Sequence, residues 1–424
     1  MNHSFARARQ LRQHRRHEEA VALLLGHLAN DPDDAEAYIE LALNRSEMPG
    51  AKAMALEDAR RATGLLPEQG FPLALQARIL SSLDREKEAL PLAETAIGLD
   101  PDDTYCWNAK SFALCGLHRW KDAEETARKT LNIDPDDETA SNILSHTLRL
   151  QNKLDESDQE SRRRLARDPE NAFSFSNAGW AALQRQQVPE AENLFKEALR
   201  LDPEMQHAKS GLKESFRARS SFYRLFLRWA FFMQRFNEKN RTLIIIGLVI
   251  GFRVLRTLAA AVHPLLVIPV VLIYYIFIFG TWLSSGIANL LILKDPVARM
   301  SLDPGEKAEG VAVGVLFIGG LITMTIGVAL DMMPLAIAGG TLMIATIPAT
   351  LIFTNESPRG RLVFSAAMVA ILGLGAYVVF DNATHPGQKI GEGNSANAMV
   401  AAILVGLGTT WISMVPSLRS RKPE

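Results

Sequence analysis

Cysteine is scarce in this sequence, which holds two among 424 residues, Cys106 and Cys115. Their spacing matches neither a zinc knuckle nor a CxxC redox pair, and we interpret both as thiols of a protein core. The sequence also lacks HExxH, GxxxxGKS/T and GxSxG, the motifs of zinc proteases, P-loop nucleotide-binding proteins and serine hydrolases. Because no clustered acid, base, nucleophile or metal-ligand set takes their place, we predict a protein that is not an enzyme and that needs no metal and no cofactor.

Net charge is also nearly absent, at −1 for the whole chain, but its distribution divides the sequence into three parts. Residues 1–205 carry −10, residues 206–241 carry +7 and residues 242–424 carry +2. The first twenty residues are too polar to contain the apolar core of a signal peptide, so we expect the acidic part to stay in the cytosol. An acidic part, a basic collar and an apolar part in this order indicate a cytosolic domain joined to a membrane domain, without nucleic acid as a partner.

Proline recurs at a regular spacing through the acidic part. The prolines of a recurring turn lie 35, 34, 34, 34 and 34 residues apart, at Pro32, Pro67, Pro101, Pro135, Pro169 and Pro203. Each period contains two apolar segments with helical spacing, and the proline ends the second of them. A period of this length indicates an architecture of repeated helical hairpins.

The repeats resemble the tetratricopeptide repeat (TPR) family, whose 34-residue units have small or bulky apolar residues at fixed positions. The unit 172–205 fits best, and its matching residues are Phe175, Gly179, Ala191, Phe195, Ala198 and Pro203. The unit before it fits worst, because Ser157, Ser161 and Arg164 stand where small and apolar packing residues are expected. The resemblance implies six TPR-like repeats over residues 1–205, stacked into a solenoid in which each hairpin buries an apolar face against the next.

The resemblance further implies that the first helix of each hairpin lines a concave surface. Amides, arginines and aromatic rings on that surface suit an extended peptide, since amides bond its backbone and guanidinium groups bond carboxylates. We therefore hypothesise a groove for a protein or peptide partner; the alternative is that these are ordinary solvated or half-buried repeat residues. The inward residues are Arg78, Tyr105, Asn108, Phe112, Asn142, His146, Arg149, Phe173, Ser176 and Trp180.

The basic collar, residues 206–241, mixes arginine and lysine with aromatic residues. Its apolar residues recur at helical spacing from Phe222 to Met233 with arginines off that stripe, as in a helix that lies among anionic lipid headgroups. The residues predicted to contact the membrane surface are Arg224, Arg228, Trp229 and Arg235. A helix that caps the last repeat is the alternative, and both fit if residues 206–220 form the cap.

Beyond Arg241 the sequence contains six apolar runs, each long enough to cross about 30 Å of hydrocarbon. The runs are 242–262, 264–293, 309–330, 333–353, 361–380 and 396–416. The loops on one side, together with the tail 417–424, hold most of the lysine and arginine of this part. The positive-inside rule therefore places both termini in the cytosol.

Two arginines weaken the first run as a span. Arg253 and Arg256 fall in or near its middle, where each charge costs about 2.5–3.5 kcal/mol on insertion scales. They must snorkel, pair or line water, and they form a candidate intramembrane polar site. A four-span alternative keeps the charge asymmetry if residues 242–293 form a re-entrant hairpin. Glycine pairs in the runs let helices approach closely, either within one chain or in a homo-oligomer.

These features predict an all-α protein, with a TPR-type helical-hairpin solenoid followed by a multi-span α-helical membrane domain. We hypothesise an adaptor whose solenoid recruits a protein or peptide partner to the cytosolic face of a bacterial inner membrane. The alternative is a transporter or channel with a regulatory TPR domain, in which Arg253, Arg256 and Asp331 would face a water-accessible path.

Overall fold

The structure is a computed structural model, and it describes residues 3–296, 298–355, 357–385 and 393–412 together with Val415 and Leu418. Within these residues the chain is all-α and contains no strand. The first twelve helices pair into six successive hairpins. Their bounds are α1 His3–Gln13, α2 His17–Leu28, α3 Ala35–Glu47, α4 Lys52–Leu65, α5 Gly70–Ser82, α6 Glu86–Leu99, α7 Thr104–Gly116, α8 Trp120–Ile133, α9 Glu138–Leu150, α10 Leu154–Arg167, α11 Ala172–Gln184 and α12 Val188–Leu201.

The recurring acidic turns between hairpins act as helix caps. In the stretch Leu99 to Asp103, Pro101 follows the end of α6 and the Asp103 carboxylate accepts a hydrogen bond from the Tyr105 backbone N–H at 2.9 Å. Asp34, Asp137 and Asn171 cap α3, α9 and α11 in the same way. Because the cap satisfies backbone donors that a helix start leaves free, the motif sets where these four first helices begin.

Small residues allow the two helices of a hairpin to pack closely. In the sixth hairpin the Phe195 ring is fully buried, and a Cβ on Gly179 would lie 2.8 Å from it. The serines of the fifth unit are accommodated by hydrogen bonds, since Ser157 Oγ donates to the Ser145 carbonyl at 2.8 Å and Ser161 Oγ donates to the Ser157 carbonyl at 3.1 Å. The unit that fits the repeat pattern worst therefore keeps the hairpin geometry with polar contacts in place of apolar ones.

Two amphipathic helices follow the solenoid. Helix α13, Gln206–Arg217, packs on α12 as the next helix of the stack, and α14, Ser221–Gln234, buries Tyr223, Phe226, Leu227 and Phe231. The opposite face of α14 leaves Phe222, Leu225 and Phe232 exposed. The basic collar thus contains one helix that extends the solenoid and one helix that is apolar on two faces.

Six long helical segments overlap the six apolar runs that the sequence predicts. They are α15 Glu238–Val262, α16 Val267–Ile292, α17 Pro304–Ala312 continued by a π-helix Val313–Ile318 into α18 Gly319–Ala329, α19 Met333–Thr354, α20 Pro358–Thr384 and α21 Gly393–Ile412. Among the described residues, four are long and apolar enough to cross a membrane: 239–262, 304–329, 333–354 and 358–384. Most of the predicted tail 417–424 and part of the end of the sixth run lie outside the described residues.

Helices α17 to α21 pack side by side, whereas α15 stands apart. Gly327 and Gly339 lie where a Cβ would come within 2.3 Å of the backbone of the neighbouring helix, so their small size sets the close approach of α18 and α19. None of the apolar window of α15 is buried, against 17–39% for the other three spanning candidates. Its main neighbour is α16, where the rings of Phe252 and Tyr274 stack 3.7 Å apart.

Candidate partner-binding groove

The ten groove residues predicted from the sequence lie on the first helices of four successive hairpins. Helix α5 carries Arg78, α7 and α9 carry three residues each, and α11 carries Phe173, Ser176 and Trp180. Their exposure varies along the groove, because Phe173 is 47% exposed while Asn108, Arg149 and Ser176 are buried. The end of α14 lies against Trp180 of α11, so we call the part near α9 and α11 the covered part and the part near α5 and α7 the open part.

Arg78 forms the centre of the open part. Its guanidinium lies 3.9 Å from the ring centroid of Phe112 and 5.8 Å from that of Tyr105, and the Tyr105 ring in turn contacts Phe71 at 4.7 Å. Burial lowers the pKa of Arg78, which nevertheless stays charged at neutral pH. Within the described residues no acidic group pairs with this cation. The aromatic rings hold the guanidinium in place and leave its donors available to a carboxylate.

The asparagines of the groove take part in contacts between hairpins. Asn108 Nδ2 donates to both carboxylate oxygens of Asp137 at 3.0 Å, and Asp137 is the residue that caps α9. Asn142 Oδ1 accepts from Asn177 Nδ2 at 3.4 Å. Asn108 thus orients the start of the next hairpin, while its own Oδ1 atom is buried without a hydrogen-bond partner.

Arg149 forms the centre of the covered part. It is 6% exposed, lies 5.7 Å from the ring centroid of Trp180, and its Nη1 atom has no hydrogen-bond partner. Burial lowers its pKa to about 10, and burial together with the Arg149 charge lowers the pKa of His146 to about 3 and that of His207 to about 4. Both imidazoles are therefore neutral, and Ser176 Oγ lies 2.7 Å from His207 Nδ1.

The end of α14 covers this part of the groove. The ring of Phe231 meets that of Trp180 edge to face at 6.3 Å, and Trp120 Nε1 donates to the backbone carbonyl of Arg235 at 2.9 Å. Arg235 Nη2 donates to Asn152 Oδ1 at 2.7 Å. Arg235, which the sequence assigned to the membrane surface, therefore contacts the solenoid.

A second side of α14, which includes Phe226 and Trp229, packs against α16. The rings of Phe226 and Trp229 lie 6.2 and 5.2 Å from that of Phe277, and a Cβ on Gly280 would lie 2.0 Å from Phe226 Cζ. Of the remaining predicted surface residues, Arg224 donates to Ser221 Oγ at 2.7 Å and Arg228 is exposed. Helix α14 thus lies between the groove and α16. A cavity of about 520 Å³ beside it is lined by side chains of α11, α13, α14 and α16.

A buried polar cluster joins α13 to the C-terminal helices. Arg217, 8% exposed, donates to Glu214 at 2.7 Å, to Glu306 at 2.8 Å and to Asn289 Oδ1 at 2.9 Å. Glu309, 3% exposed, accepts from Asn289 Nδ2 and from Ser285 Oγ, each at 2.8 Å. Sequence reasoning did not single out these residues, because Glu309 stands at the edge of an apolar run and Arg217 in a basic segment. The signal available was the pair Ser285 and Asn289, four residues apart in a mostly apolar run.

The structure places Asp331 on a different element from Arg253 and Arg256, which are three residues apart on one helix. Arg253 and Arg256 are exposed on α15, while Asp331 lies in the turn between α18 and α19 with φ of 55°. Elsewhere, ligand atoms of His27, Asp31 and Asp34 lie within 4.8 Å of one another. Capping of α3 by Asp34 and its 2.8 Å contact with His27 account for that arrangement without an ion.

No family model and no curated protein matches the chain. Solved structures that it resembles include a thermophilic TPR protein of Thermus thermophilus, with 17% identity, a TM-score of 0.40, and 43% of this chain and 98% of that one covered. They also include YrrB, a TPR protein with an unusual peptide-binding site, at 19% identity and TM-score 0.32, covering 45% and 97%. A third is PilW, a type IV pilus biogenesis factor, at 18% identity and TM-score 0.41, covering 50% and 97%. The first half of this chain has the TPR-type helical-hairpin fold.

Proposed function

We propose that this protein is a membrane-anchored adaptor whose repeat groove holds an extended, acidic segment of a partner protein at the cytosolic face of the bilayer. The observation that carries the proposal is the unpaired guanidinium of Arg78, fixed between Phe112 and Tyr105 in the open part of the groove. A carboxylate of a partner supplies the missing counter-charge with two parallel hydrogen bonds. The partly exposed amide of Asn142 is suited to the partner's backbone.

The anchoring half of the proposal is supported by length and composition. Four described helices are long and apolar enough to span a bilayer, and they follow the solenoid and α13 and α14 in the sequence. We retain the six-span arrangement with both termini in the cytosol of a bacterial cell as part of the proposal, because it places most of the lysine and arginine on one side. The exposed arginine and apolar side chains of α14 are suited to the lipid headgroup region next to these spans.

A second candidate function is transport, and one feature favours it. Glu309 is buried in a helix long enough to span, and a π-helix begins four residues later at Val313. Buried carboxylates and π-helices both recur at functional positions in membrane helices. Flux through vesicles that contain the full-length protein, lost on Glu309→Gln and kept on Arg78→Gln, would support this candidate over the adaptor.

The groove is tested with peptides of defined charge. An array of decapeptides with Asp or Glu at every second position is compared with the same sequences carrying Asn or Gln, and binding of the detergent-solubilised full-length protein is measured. We expect the acidic peptides to bind, and Arg78→Gln to weaken binding at least about tenfold, since a hydrogen bond to a charged group contributes about 1.5–3 kcal/mol.

The matched control is Arg60→Gln on the second helix of its hairpin, where the arginine is exposed and paired with Glu57 at 2.6 Å. It removes the same charge outside the groove and is expected to leave binding unchanged. Circular dichroism must show equal helicity for all three proteins. Equal binding of acidic and amide peptides, or equal loss in both variants, would overturn the groove proposal.

A further inference from the structure

Helix α15 is the one spanning candidate that the rest of the described chain leaves uncovered. No residue of its apolar window is buried. Nothing lies within 4 Å of the positions that Cβ atoms would take on Gly247 and Gly251, so a second helix is able to approach its backbone there. The solenoid, α14 and the packed helices α17 to α21 are absent from its main contacts, which are with α16 and the short turn before it.

Two cations on this helix have no counter-charge. Arg253 and Arg256 are both exposed, and within the described residues neither guanidinium forms an ion pair or a hydrogen bond. The sequence of α15 and α16 contains one acidic residue, Glu238 at its start, against four basic ones. Glu309, which lies inside another spanning candidate, is already bonded to Ser285 and Asn289.

The depth of Arg253 decides what can neutralise it. At a rise of about 1.5 Å per residue, Arg253 lies about 22 Å from the start of α15 and about 14 Å from its end. In a hydrocarbon layer about 30 Å thick, that position is near the centre and far from the phosphates of either leaflet. A lipid headgroup therefore does not reach it without deforming the bilayer, whereas an acidic side chain on a neighbouring membrane helix lies at the same depth.

We propose that α15 is a docking surface for a membrane-spanning helix of another protein that carries an Asp or Glu near mid-membrane, paired with Arg253. The inference rests on the membrane insertion contained in the proposed function. A second copy of this chain does not fit the role, because its α15 brings the same arginines to the same depth and like charges repel. The partner chemistry is thus an apolar helix with one buried carboxylate.

The test uses the full-length protein in vesicles of zwitterionic phosphatidylcholine at pH 8, with a synthetic 21-residue polyleucine helix as probe. One peptide has a central Asp and the matched peptide has a central Asn, and each carries a dansyl group at mid-length. Energy transfer from the protein's tryptophans to dansyl measures association. We expect the Asp peptide to associate at least about threefold more strongly than the Asn peptide, and Arg253→Gln to remove that preference.

The control variant is Arg241→Gln, which removes the same charge at the start of α15, where Arg241 Nε donates to the Met233 carbonyl at 2.9 Å. It is expected to keep the preference for Asp. Equal association of both peptides, or a preference that survives Arg253→Gln, overturns the inference. A preference that disappears when phosphatidylglycerol is added also overturns it, because lipid phosphate is then the counter-charge.

Membrane insertion is measured in the same samples by alkaline carbonate extraction. A chain that is extracted fails the anchoring proposal and the inference together. A chain that resists extraction but does not select Asp over Asn overturns the docking surface alone and leaves the adaptor proposal standing.

Discussion

Replacing Arg217 by glutamine should release α13 from the C-terminal helices. This guanidinium connects Glu214 of α13 with Glu306 and Asn289 beyond the basic collar. Burial would lower the pKa of Arg217, but the neighbouring carboxylates more than compensate and raise it, so the group is fully charged. In Arg217→Gln both carboxylates lose a buried cation.

The magnitude follows from burial and from the remaining partners. Breaking a buried ion pair by removing one member costs about 3–5 kcal/mol, because the other charge stays buried. Lys213 still lies 2.9 Å from Glu306 and keeps part of its charge neutralised, so we take the lower end, about 3 kcal/mol. A local opening free energy lower by that amount makes the open state about 100-fold more populated.

Amide hydrogen exchange in α13 is the suitable assay, because it reports local opening in a protein whose parts need not unfold together. The comparison variant is Lys209→Gln on the same helix, whose side chain is 41% exposed and pairs with the exposed Glu204 at 3.0 Å. Exposed pairs contribute about 0–1 kcal/mol, so exchange should rise about fivefold at most. Equal acceleration in the two variants would show that burial of Arg217 does not hold the junction.

Three further results are expected. Gly280→Ala places a Cβ against the Phe226 ring, so exchange in α14 should accelerate, and adding Phe226→Leu should reverse the effect. Burial lowers the pKa of His207 to about 4 and that of His146 to about 3, so each imidazole should lower the free energy of unfolding by up to about 1.4 kcal/mol per pH unit as pH drops from about 6.5 towards 4. His207→Gln should remove the contribution of one histidine from that slope in urea titrations followed by tryptophan fluorescence; an unchanged slope would contradict the assignment. Burial raises the pKa values of Cys106 and Cys115 to about 12, so iodoacetamide at pH 8 should label neither thiol until the protein is denatured.

The solenoid could be predicted because its determinants are local and repeated. Pro101 ends a helix through its missing N–H, and Asp103 caps the next helix two residues later, so one pentapeptide contains both signals. Small residues such as Gly179 mark the close contact within a hairpin. The positions of Arg78 and Phe112 on first helices also follow from the repeat register, although only the structure shows that the guanidinium lies against that ring.

The position of α14 between the groove and α16 could not be predicted, because it depends on contacts between residues far apart in sequence. Trp120 and Arg235 are 115 residues apart, and no periodic pattern indicates that they meet. The helix has apolar residues on two faces, and composition does not specify which face meets protein and which meets lipid. Likewise the sequence alone allows Glu309 to be interpreted as a residue at the boundary of an apolar run. Its burial results from the close packing of α16 and α17 around Gly286 and Gly310, which the sequence does not show.

The position of α14 limits how a partner can bind. A ligand confined to the part of the groove around Arg78 leaves the contact between Phe231 and Trp180 intact. A ligand that extends to Arg149 must displace Phe231, because that ring covers Trp180. Since the same helix places Phe226 against Gly280 of α16, displacement would also disturb the contact between α14 and the first helical hairpin beyond the collar. Occupancy of the whole groove is therefore coupled to the apolar helices, whereas occupancy of the open part alone is not.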